Sequence, residues 1–457
     1  MSNYKFSEIV NHLVVSGFVF PSSQIYGGLA NVWDYGPLGA ELKKNIKQIW
    51  HREFIQKIPC NVLIDTAIFM NKKVWQATGH VNAFNDPMVE CKNCKSRYRA
   101  DYLIKKNFNN ENVNNMSFDE INNFLKNNNI KCENCSKINN FTDVKKFNMM
   151  FAVDFATTRS SNENIFLRPE TAQGVFVNFK NVYRSMRKKI PFGICNHGKS
   201  FRNEITLGNF IFRTKEFEQL ETEFFCEPGT DDQWFAYWKQ KCFDFINLLG
   251  IKKEKVRFRD HEKSELSFYS KETVDIEYNF PSIGWSEILG IANRTDYDLK
   301  RHSEYSKENL KYNDLNNSYF PYCIEPSIGL DRLMLTILVD GFDKENVNGD
   351  ERIVMHINPL LSPYKVVVLP LSKDLSKIAR EIFDELSKKI MCIYDESGSI
   401  GKRYRRADAI GVPFAITIDN ETISDDKVTV RDRDTMKQKR ILKTEIYNFI
   451  ANILKNY

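Results

Sequence analysis

The segment IFRTKEFEQLETEFF, residues 211–225, restricts the possible folds of this chain more than any other stretch. It holds four phenylalanines and six charged residues in fifteen positions, which is unusual for one element of a core. A helical period places apolar side chains on one face, namely those of Phe210, Phe217, Leu220 and Phe224. A strand period places polar and aromatic side chains on one side, namely those of Arg213, Lys215, Phe217, Gln219, Glu221 and Glu223. Periodicity alone favours the helix.

The residues before this segment favour the strand. A strand-like FRNEI is followed by a Gly-Asn pair, which is typical of a hairpin turn. In a hairpin, Arg202 and Glu204 share one face, and Arg213, Phe217 and Glu221 share one. If these two faces coincide, two guanidinium groups, an aromatic ring and carboxylates line one site, as a nucleotide requires. The sequence therefore predicts a nucleotide site without a glycine-rich phosphate loop.

The length and composition of the chain limit the class of protein. A chain of 457 residues is too long for one core and predicts two to four domains. No apolar run approaches the roughly 18 residues of a membrane span, and the first twenty residues lack the basic region of a signal peptide. The ten cysteines comprise two CxxC pairs and six single residues, which indicates a reducing compartment. We therefore expect a cytoplasmic protein with no membrane partner.

Changes in composition divide the chain into four parts. Residues 1–90 mix helical patterns with aromatic turns, and residues 91–147 form an Asn-rich, weakly apolar insertion that we expect to be loosely packed. Residues 148–345 are dense in aromatic side chains. Strands and helices alternate over residues 355–457, which predicts a small α/β domain with a mostly parallel or mixed sheet.

The two CxxC pairs lie at the ends of the Asn-rich insertion. Cys91 and Cys94 are matched by Cys132 and Cys135, and four thiolates are the usual ligands of a structural zinc ion. The separation of the pairs is longer than in common zinc ribbons, so reduced structural thiols remain the alternative. A metal ion would help to order a segment that is poor in core residues.

The C-terminal part contains the densest basic cluster, GKRYRRAD. Its candidate RNA contacts are Arg403, Tyr404, Arg405 and Arg406, because cations bind phosphate and an aromatic ring can stack on a base. The alternative is a solvated helix face.

Several motifs occur in an order that resembles one family. FRNE…FRTKEFEQLE resembles motif 2 of the class II aminoacyl-tRNA synthetases, IEPSIGLDRLML resembles motif 3, and GPLGAELKKNIKQIW resembles the dimer-forming motif 1. With RPETAQGVFVNF and GWSEILGIANRTDYDL, they resemble the homodimeric glycyl-tRNA synthetase family over nearly the whole chain. This resemblance implies an α/β fold. It comprises an α+β catalytic core with an antiparallel sheet, and a mixed-sheet α/β anticodon-binding domain.

The resemblance implies an ATP site with Mg²⁺. Arg202 would hold the α-phosphate, and Arg213 and Arg332 the departing phosphates, so these three arginines are the candidate catalytic residues. Phe217 would stack on adenine, and Glu287 would contact ATP or Mg²⁺. The full implied ATP set is Arg202, Asn203, Glu204, Phe212, Arg213, Phe217, Glu287, Ile288, Gly329 and Arg332.

The resemblance also implies a glycine site. A pocket for glycine must reject every Cβ, which a narrow cavity lined by acids achieves while it holds the ammonium group. The implied set is Arg99, Glu170, Phe217, Gln219, Glu221, Glu325 and Ser327.

The implied activity is ATP-dependent formation of glycyl-adenylate with release of pyrophosphate, then transfer of glycine to the 3′-OH of the terminal adenosine of its tRNA. The implied partners are glycine, ATP, tRNA and a second copy of the chain, with no DNA. Two alternatives remain at this point. One is a sister class II synthetase of the prolyl or threonyl type, and the other is a catalytically inactive, synthetase-like RNA-binding or accessory protein.

Overall fold

The computed structural model describes residues 4–455 apart from 109–112, 114–115, 155–163, 206–208, 268, 282, 315–316 and 348. The elements of the first part are α1 (Phe6–Val15), β1 (Val19–Pro21), β2 (Trp33–Tyr35), α2 (Pro37–His51), β3 (Val62–Ile64), β4 (Phe69–Met70), α3 (Lys72–Ala77) and α4 (His80–Ala83). A proline at its first position starts α2, where the missing N–H costs nothing. Leu42, Ile46 and Ile49 then bury one face of this helix.

The inserted module follows. Its elements are β5 (Asn85–Glu90), β6 (Arg97–Arg99), α5 (Ala100–Phe108), α6 (Phe118–Asn127) and β7 (Lys145–Asn148). Strands β6, β5 and β7 form an antiparallel sheet, and Ser117 and Glu120 form a capping box at the start of α6. The module has a hydrophobic core of its own, with side chains such as Leu103 and Ile121 fully or almost fully buried. It is therefore well packed, contrary to the prediction of a loose insertion, and its first strand begins before residue 91.

The central part of the chain completes the larger domain. Its elements are β8 (Ala152–Asp154), β9 (Asn164–Leu167), α7 (Ala172–Ser185), β10 (Phe192–Phe201), β11 (Glu216–Cys226), α8 (Asp231–Leu248), β12 (Val256–Asp260), β13 (Glu272–Phe280), β14 (Gly284–Thr295), α9 (Tyr297–Ser306), β15 (Tyr312–Asn313), β16 (Ser318–Tyr319), β17 (Tyr322–Gly329), α10 (Leu330–Gly341), β18 (Phe342–Val347) and β19 (Asp350–Met355). Within the described chain, seven strands form one sheet in the order β12-β13-β14-β17-β11-β10-β3. All neighbours are antiparallel except β10 and β3, which confirms the antiparallel core.

The segment 211–225 is mostly a strand. Leu220 and Phe224 pack into the main core from one side of β11, and Glu221 and Glu223 project from the other, so the helix that periodicity favours is wrong. The antiparallel pairing of β10 with β11 confirms a hairpin, but the strands end at Phe201 and Glu216. FRNEI lies largely outside the strand, and so does Arg213. The connection runs through a 3₁₀ turn at Phe210–Phe212, and residues 206–208, which include part of the predicted turn, lie outside the described residues.

The C-terminal domain alternates strands and helices as predicted. Its elements are β20 (Val366–Pro370), α11 (Ser376–Ser387), β21 (Cys392–Tyr394), α12 (Ile400–Ala409), β22 (Phe414–Ile418), α13 (Thr422–Asp425), β23 (Lys427–Asp432), β24 (Gln438–Leu442) and α14 (Ile446–Lys455). The sheet has the order β21-β20-β22-β23-β24, with parallel pairs on one side of β22 and antiparallel pairs on the other. It is the predicted mixed sheet.

Buried ion pairs join this domain to the hairpin β18–β19. Arg352 is 1% exposed and donates from Nε to Asp408 at 2.9 Å, from Nη1 to Glu345 at 2.5 Å, and from Nη2 to the carbonyl of Arg433 at 2.6 Å. The domain junction is therefore a packed interface. In the part of the chain that the structure covers, no helix is both long and apolar enough to cross a bilayer.

Candidate active site

A cleft of about 140 Å³ opens where β11, β14 and β17 meet the start of α10. Its walls come from the β10–β11 connection and from these three strands. The lining residues are Arg202, Glu204, Ile211, Phe212, Arg213, Thr214, Phe217, Gln219, Glu287, Ser327, Gly329, Asp331 and Arg332. Eight of the ten residues predicted to bind ATP lie in this lining. Ile288 instead is 1% exposed within the core, and Asn203 donates its backbone N–H to the carbonyl of Met149.

Three guanidinium groups face this cleft. Arg202 donates to the carbonyl of Pro169 at 3.0 Å, and its guanidinium carbon lies 5.3 Å from the ring centroid of Phe217. Arg332 donates to Glu287 Oε2 at 2.9 Å and lies 4.6 Å from the ring centroid of Phe212. Burial lowers the pKa of Arg213, and the neighbouring Arg332 adds to this shift. The lining also contains the carboxylates of Glu204, Glu287 and Asp331, so the cleft offers three fixed guanidinium groups and two aromatic rings rather than a net positive charge, an arrangement that can bind phosphate groups and an aromatic base.

Two carboxylates lie at the edge of the cleft on β13 and β14. A Cβ added to Gly290 of the chain would lie 3.5 Å from Asp275 Oδ1 and 3.6 Å from Glu287 Oε1. The two carboxylates therefore lie close to each other over the backbone of Gly290. His261 Nε2 lies 2.7 Å from the other oxygen of Asp275. Burial and the charge of Glu287 raise the pKa of Asp275 to about 6. Oxygen ligands of this kind are those that Mg²⁺ prefers, and the sequence reasoning missed Asp275.

The acids predicted to bind glycine lie together beside this cleft. Glu170, Glu221 and Glu325 are 9%, 2% and 7% exposed. Gln219 Nε2 and Ser327 Oγ donate to Glu221 Oε1 at 2.7 and 2.8 Å. Because Gln219 and Ser327 also line the cleft, the acid cluster opens onto it. Burial and the charge of Glu170 raise the pKa of Glu221 above its ordinary value.

Arg294 organises the acid cluster and was missed from the sequence. This guanidinium, 1% exposed, donates from Nη1 to both oxygens of Glu325 at 2.9 Å, and from Nε and Nη2 to Asp298 at 2.8 and 2.9 Å. Its Nη2 lies 3.9 Å from Glu170. The motif GWSEILGIANRTDYDL contains both Arg294 and Asp298, so the signal was present.

A second group of missed residues holds Glu170. Gln173 donates from Nε2 to Glu170 and to Asp298, both at 2.9 Å, and its Oε1 lies 2.8 Å from His302 Nε2. Burial opposes ionisation of Glu170, but His80 and Arg294 outweigh it and hold the pKa of this acid well below its usual range. Gln173 lies in RPETAQG, whereas His80 has no sequence signal.

Arg99 lies apart from the acid cluster. Its guanidinium pairs with Asp101 at 2.5 Å and with Asp86 at 3.4 Å, at the end of β6 in the inserted module. Its charge acts on Arg213 and Glu204, so it lies near the end of the cleft that these two residues line.

The four cysteines of the CxxC pairs converge. Cys91 Sγ lies 3.6 Å from Cys135 Sγ, and Cys94 Sγ lies 3.5 Å from Cys132 Sγ, with all four sulfur atoms within 4.8 Å of one another. A tetrahedron with Zn–S bonds of about 2.3 Å has edges of about 3.8 Å. The four thiols therefore fit a zinc ion.

The basic cluster lies on α12, and its members differ in access. Arg403 is 4% exposed and donates to the carbonyl of Pro370. Tyr404 bonds Thr417 through its hydroxyl. Arg405 and Arg406 are on the surface, where Arg405 donates to the carbonyl of Glu351 at 2.8 Å and Arg406 pairs with Asp395 at 2.6 Å.

Two family models match the two domains. Residues 151–340 match the tRNA synthetase class II core domain (G, H, P, S and T), and residues 365–453 match the anticodon binding domain. The fold, the cleft and these matches define a class II aminoacyl-tRNA synthetase. The chain is 55% identical over 445 residues to the glycine–tRNA ligase of Caldanaerobacter subterraneus subsp. tengcongensis, covering 96% of both chains. It is 56% identical over 450 residues to that of Geobacillus kaustophilus, covering 97% of both, and 56% identical over 440 residues to that of Acetivibrio thermocellus, covering 95% of both. The chain belongs to the glycine–tRNA ligase family.

Proposed function

We propose that this chain joins glycine to its tRNA in two steps at the cleft. Glycine and ATP form glycyl-adenylate and pyrophosphate, and glycine then passes to the 3′-OH of the terminal adenosine. The observation that supports this most is the continuity of the two halves of the site, since Gln219 and Ser327 line the arginine-rich cleft and also bond Glu221 in the acid cluster.

The first step needs positioning and charge neutralisation rather than a general base. The carboxylate of glycine attacks the α-phosphorus, a C–O–P bond forms, and the bond to the pyrophosphate oxygen breaks. Arg202 neutralises the α-phosphate, and Arg213 and Arg332 hold the departing pyrophosphate. When bound with ATP, Mg²⁺ would neutralise phosphate charge, and Glu287 and Asp275 are the carboxylates placed to hold it.

Selectivity for glycine follows from the acid cluster. Glu170, Glu221 and Glu325 bind the ammonium group, and their burial leaves little room for a larger amino acid beyond the α-carbon. Gln219 and Ser327 keep Glu221 in place, and Phe217 closes the side toward the nucleotide. We assign Arg99 to the side of the site that binds the phosphate groups of ATP.

We infer tRNA contacts on α12, with Arg405 and Arg406 as the contacting residues and with Arg403 and Tyr404 supporting the helix. A structural zinc ion would be held by Cys91, Cys94, Cys132 and Cys135. The location proposed for the enzyme is the cytoplasm.

We further propose a homodimer. Ile25 and Tyr26 are 87% and 86% exposed, in the segment between β1 and β2 that precedes the motif 1 helix α2. Strand β3 is an edge of the large sheet and exposes Leu63. Exposed apolar side chains beside an open sheet edge are typical of a protein interface. Light scattering at micromolar concentration would measure the mass of the particle, and a monomer would contradict the proposal.

Pyrophosphate exchange across a panel of amino acids tests the activity. We expect exchange that depends on glycine, and none above background with alanine, serine, proline or threonine. Exchange with proline or threonine but not glycine would identify a sister synthetase. Silence with every amino acid, together with retained RNA binding, would identify an inactive accessory protein.

A further inference from the structure

Glu223 is a buried acid beneath the glycine-binding cluster, and the mechanism above does not use it. It follows Glu221 by two residues on β11, so both side chains project from the same face of the sheet. The pairing of Glu221 with Ser327 and of Phe224 with Ile324 places Glu223 opposite Glu325 on β17. Two acids therefore form a direct cross-strand pair, and Glu223 is 0% exposed. Like charges in such a pair destabilise a sheet.

Glu223 lacks the partners that the neighbouring acids have. One carboxyl oxygen from each of Glu221, Glu223 and Glu325 lies within 4.8 Å of the others. Glu325 accepts two bonds from Arg294, whereas Glu223 accepts a single, weak one from the thiol of Cys323 at 3.3 Å. Its Oε1 is buried and has no hydrogen-bond partner among the described residues.

The charges around Glu223 oppose its ionisation. The titratable or charged groups that face it are Glu325 and Cys323 on β17, Arg294 on β14, Glu221 on β11 and Cys195 on β10, with Glu170 and Asp298 next to Arg294. Arg294 is shared among several acids, so it cannot neutralise one more. Burial and the charge of Glu325 raise the pKa of Glu223 well above its usual range. A buried carboxylate without a counter-ion raises the free energy of the folded state by several kcal/mol, on the order of the penalty for any unpaired buried charge.

We propose that Glu223 keeps its proton at neutral pH and acts as a positioning residue that fixes the number of negative charges facing the ammonium group of glycine. This inference rests on the proposed function of the site. Three ionised carboxylates so close together would offer a site to a divalent cation, such as the one that accompanies ATP. Burial also raises the pKa of Glu325, to about 8, but Arg294 opposes that shift and donates to both oxygens of Glu325. With Glu223 neutral, Glu325 beside Arg294 and Glu221 beside its two donors are the acids of this trio that answer the single positive charge of the ammonium group.

The test compares isosteric changes at two positions of the same strand. E223Q removes the ability to ionise but keeps the shape of a neutral acid, and E221Q removes an anion that contacts the ammonium group. We expect E223Q to leave the KM for glycine within about threefold of the wild type, while E221Q raises it at least about tenfold, a change of 1.4 kcal/mol. The KM for ATP serves as the control and stays near the wild-type value in both variants.

Infrared spectroscopy at neutral pH reads the proton directly. Because burial also raises the pKa of Glu325, to about 8, the band of Glu223 must be read as a difference between two proteins. The difference spectrum of the wild type minus E223Q should contain the carbonyl band of a protonated carboxylic acid, and that of the wild type minus E221Q should lack it. E223D, which keeps a carboxyl group, should shift this band and serves as the second variant if E223Q does not fold.

Two results would overturn the proposal. One is a difference spectrum of the wild type minus E223Q without that band, and the other is a glycine KM for E223Q as high as that of E221Q. Absence of glycine-dependent exchange in the wild type would instead contradict the proposed function, and the infrared result would still report whether Glu223 carries a proton.

Discussion

Arg294 is the residue whose loss should damage this site most. Its guanidinium is 1% exposed and holds Asp298 and Glu325 through four hydrogen bonds of 2.8 to 2.9 Å. Its guanidinium carbon also lies 4.1 Å from the ring centroid of Tyr269. In Arg294→Met, the two acids would stay buried without their counter-ion. Removing one partner of a buried ion pair costs about 3–5 kcal/mol.

This cost predicts the size of the effect. With an unfolding entropy of about 2.1 cal/mol/K per residue, a chain of 457 residues shifts by about 1 °C per kcal/mol, so the midpoint of thermal unfolding should fall by roughly 3–5 °C. Arg294→Lys keeps the charge but loses the planar fork, so it should recover only part of the loss. Arg257→Met is the control, because Arg257 pairs with Glu277 on the same sheet while its side chain is 46% exposed. An exposed pair contributes about 0–1 kcal/mol.

The measurements are calorimetry and the KM for glycine of the wild type, Arg294→Met, Arg294→Lys and Arg257→Met. The glycine KM should rise in Arg294→Met, because Glu325 would lose the guanidinium group that positions it and that lowers its pKa toward the ionised form. A fall in the midpoint no larger than that of Arg257→Met would refute the reasoning, since it would mean that the buried pairs of Arg294 contribute little to stability.

Three further predictions concern other parts of the molecule. Arg213→Ala should lower glycine-dependent pyrophosphate exchange by about 10²–10³-fold, the usual loss of one charge-stabilising group, and leave tRNA binding intact in a filter assay; wild-type exchange would contradict its role. The purified chain should contain one zinc ion by elemental analysis. Cys94→Ser should lose this ion and make the inserted module sensitive to protease, whereas the control Cys60→Ser should keep both the ion and the resistance. A metal-free wild type with an intact module would favour structural thiols. Burial lowers the pKa of His302 to about 4, so the unfolded chain binds more protons below about pH 6.5 and stability should fall by up to about 3 kcal/mol as the pH drops from 6.5 to 4. Denaturation of His302→Gln should lack this part of the acid sensitivity, and an unchanged pH dependence would show that His302 is not responsible.

The three acids of the cluster could be selected from the sequence because they lie in long motifs. Glu170, Glu221 and Glu325 come from three distant segments. Glu221 and Glu325 lie on the adjacent strands β11 and β17, and Glu170 lies just before α7. The same motifs contain Arg294 and Gln173, which were missed because a buried guanidinium and a buried amide have no spacing rule of their own. Only the pairing of β11 with β17 shows that Glu223 faces Glu325.

Other features depend on contacts that no local pattern encodes. The strand β11 begins at Glu216 because the backbone N–H of the preceding residue, Lys215, bonds to the carbonyl of Asn31 in another segment. The sequence of the basic cluster on α12 predicts one cationic surface. The orientation of the helix instead buries Arg403 and leaves Arg406 exposed to solvent. Tertiary packing decided both.

The junction between the domains limits how such a chain can be rearranged. Family models treat the core and the C-terminal domain as separate stretches, which invites the view that either could be exchanged alone. Arg352 belongs to the hairpin of the core, but it is neutralised by Asp408 of the other domain. A cut between residues 355 and 365 would leave that guanidinium without its acid. A cut before the hairpin would separate Phe342 and Met355 from the main core and Asp343 from Tyr4. The hairpin β18–β19 therefore belongs to both domains, and the two domains are inherited together rather than exchanged singly.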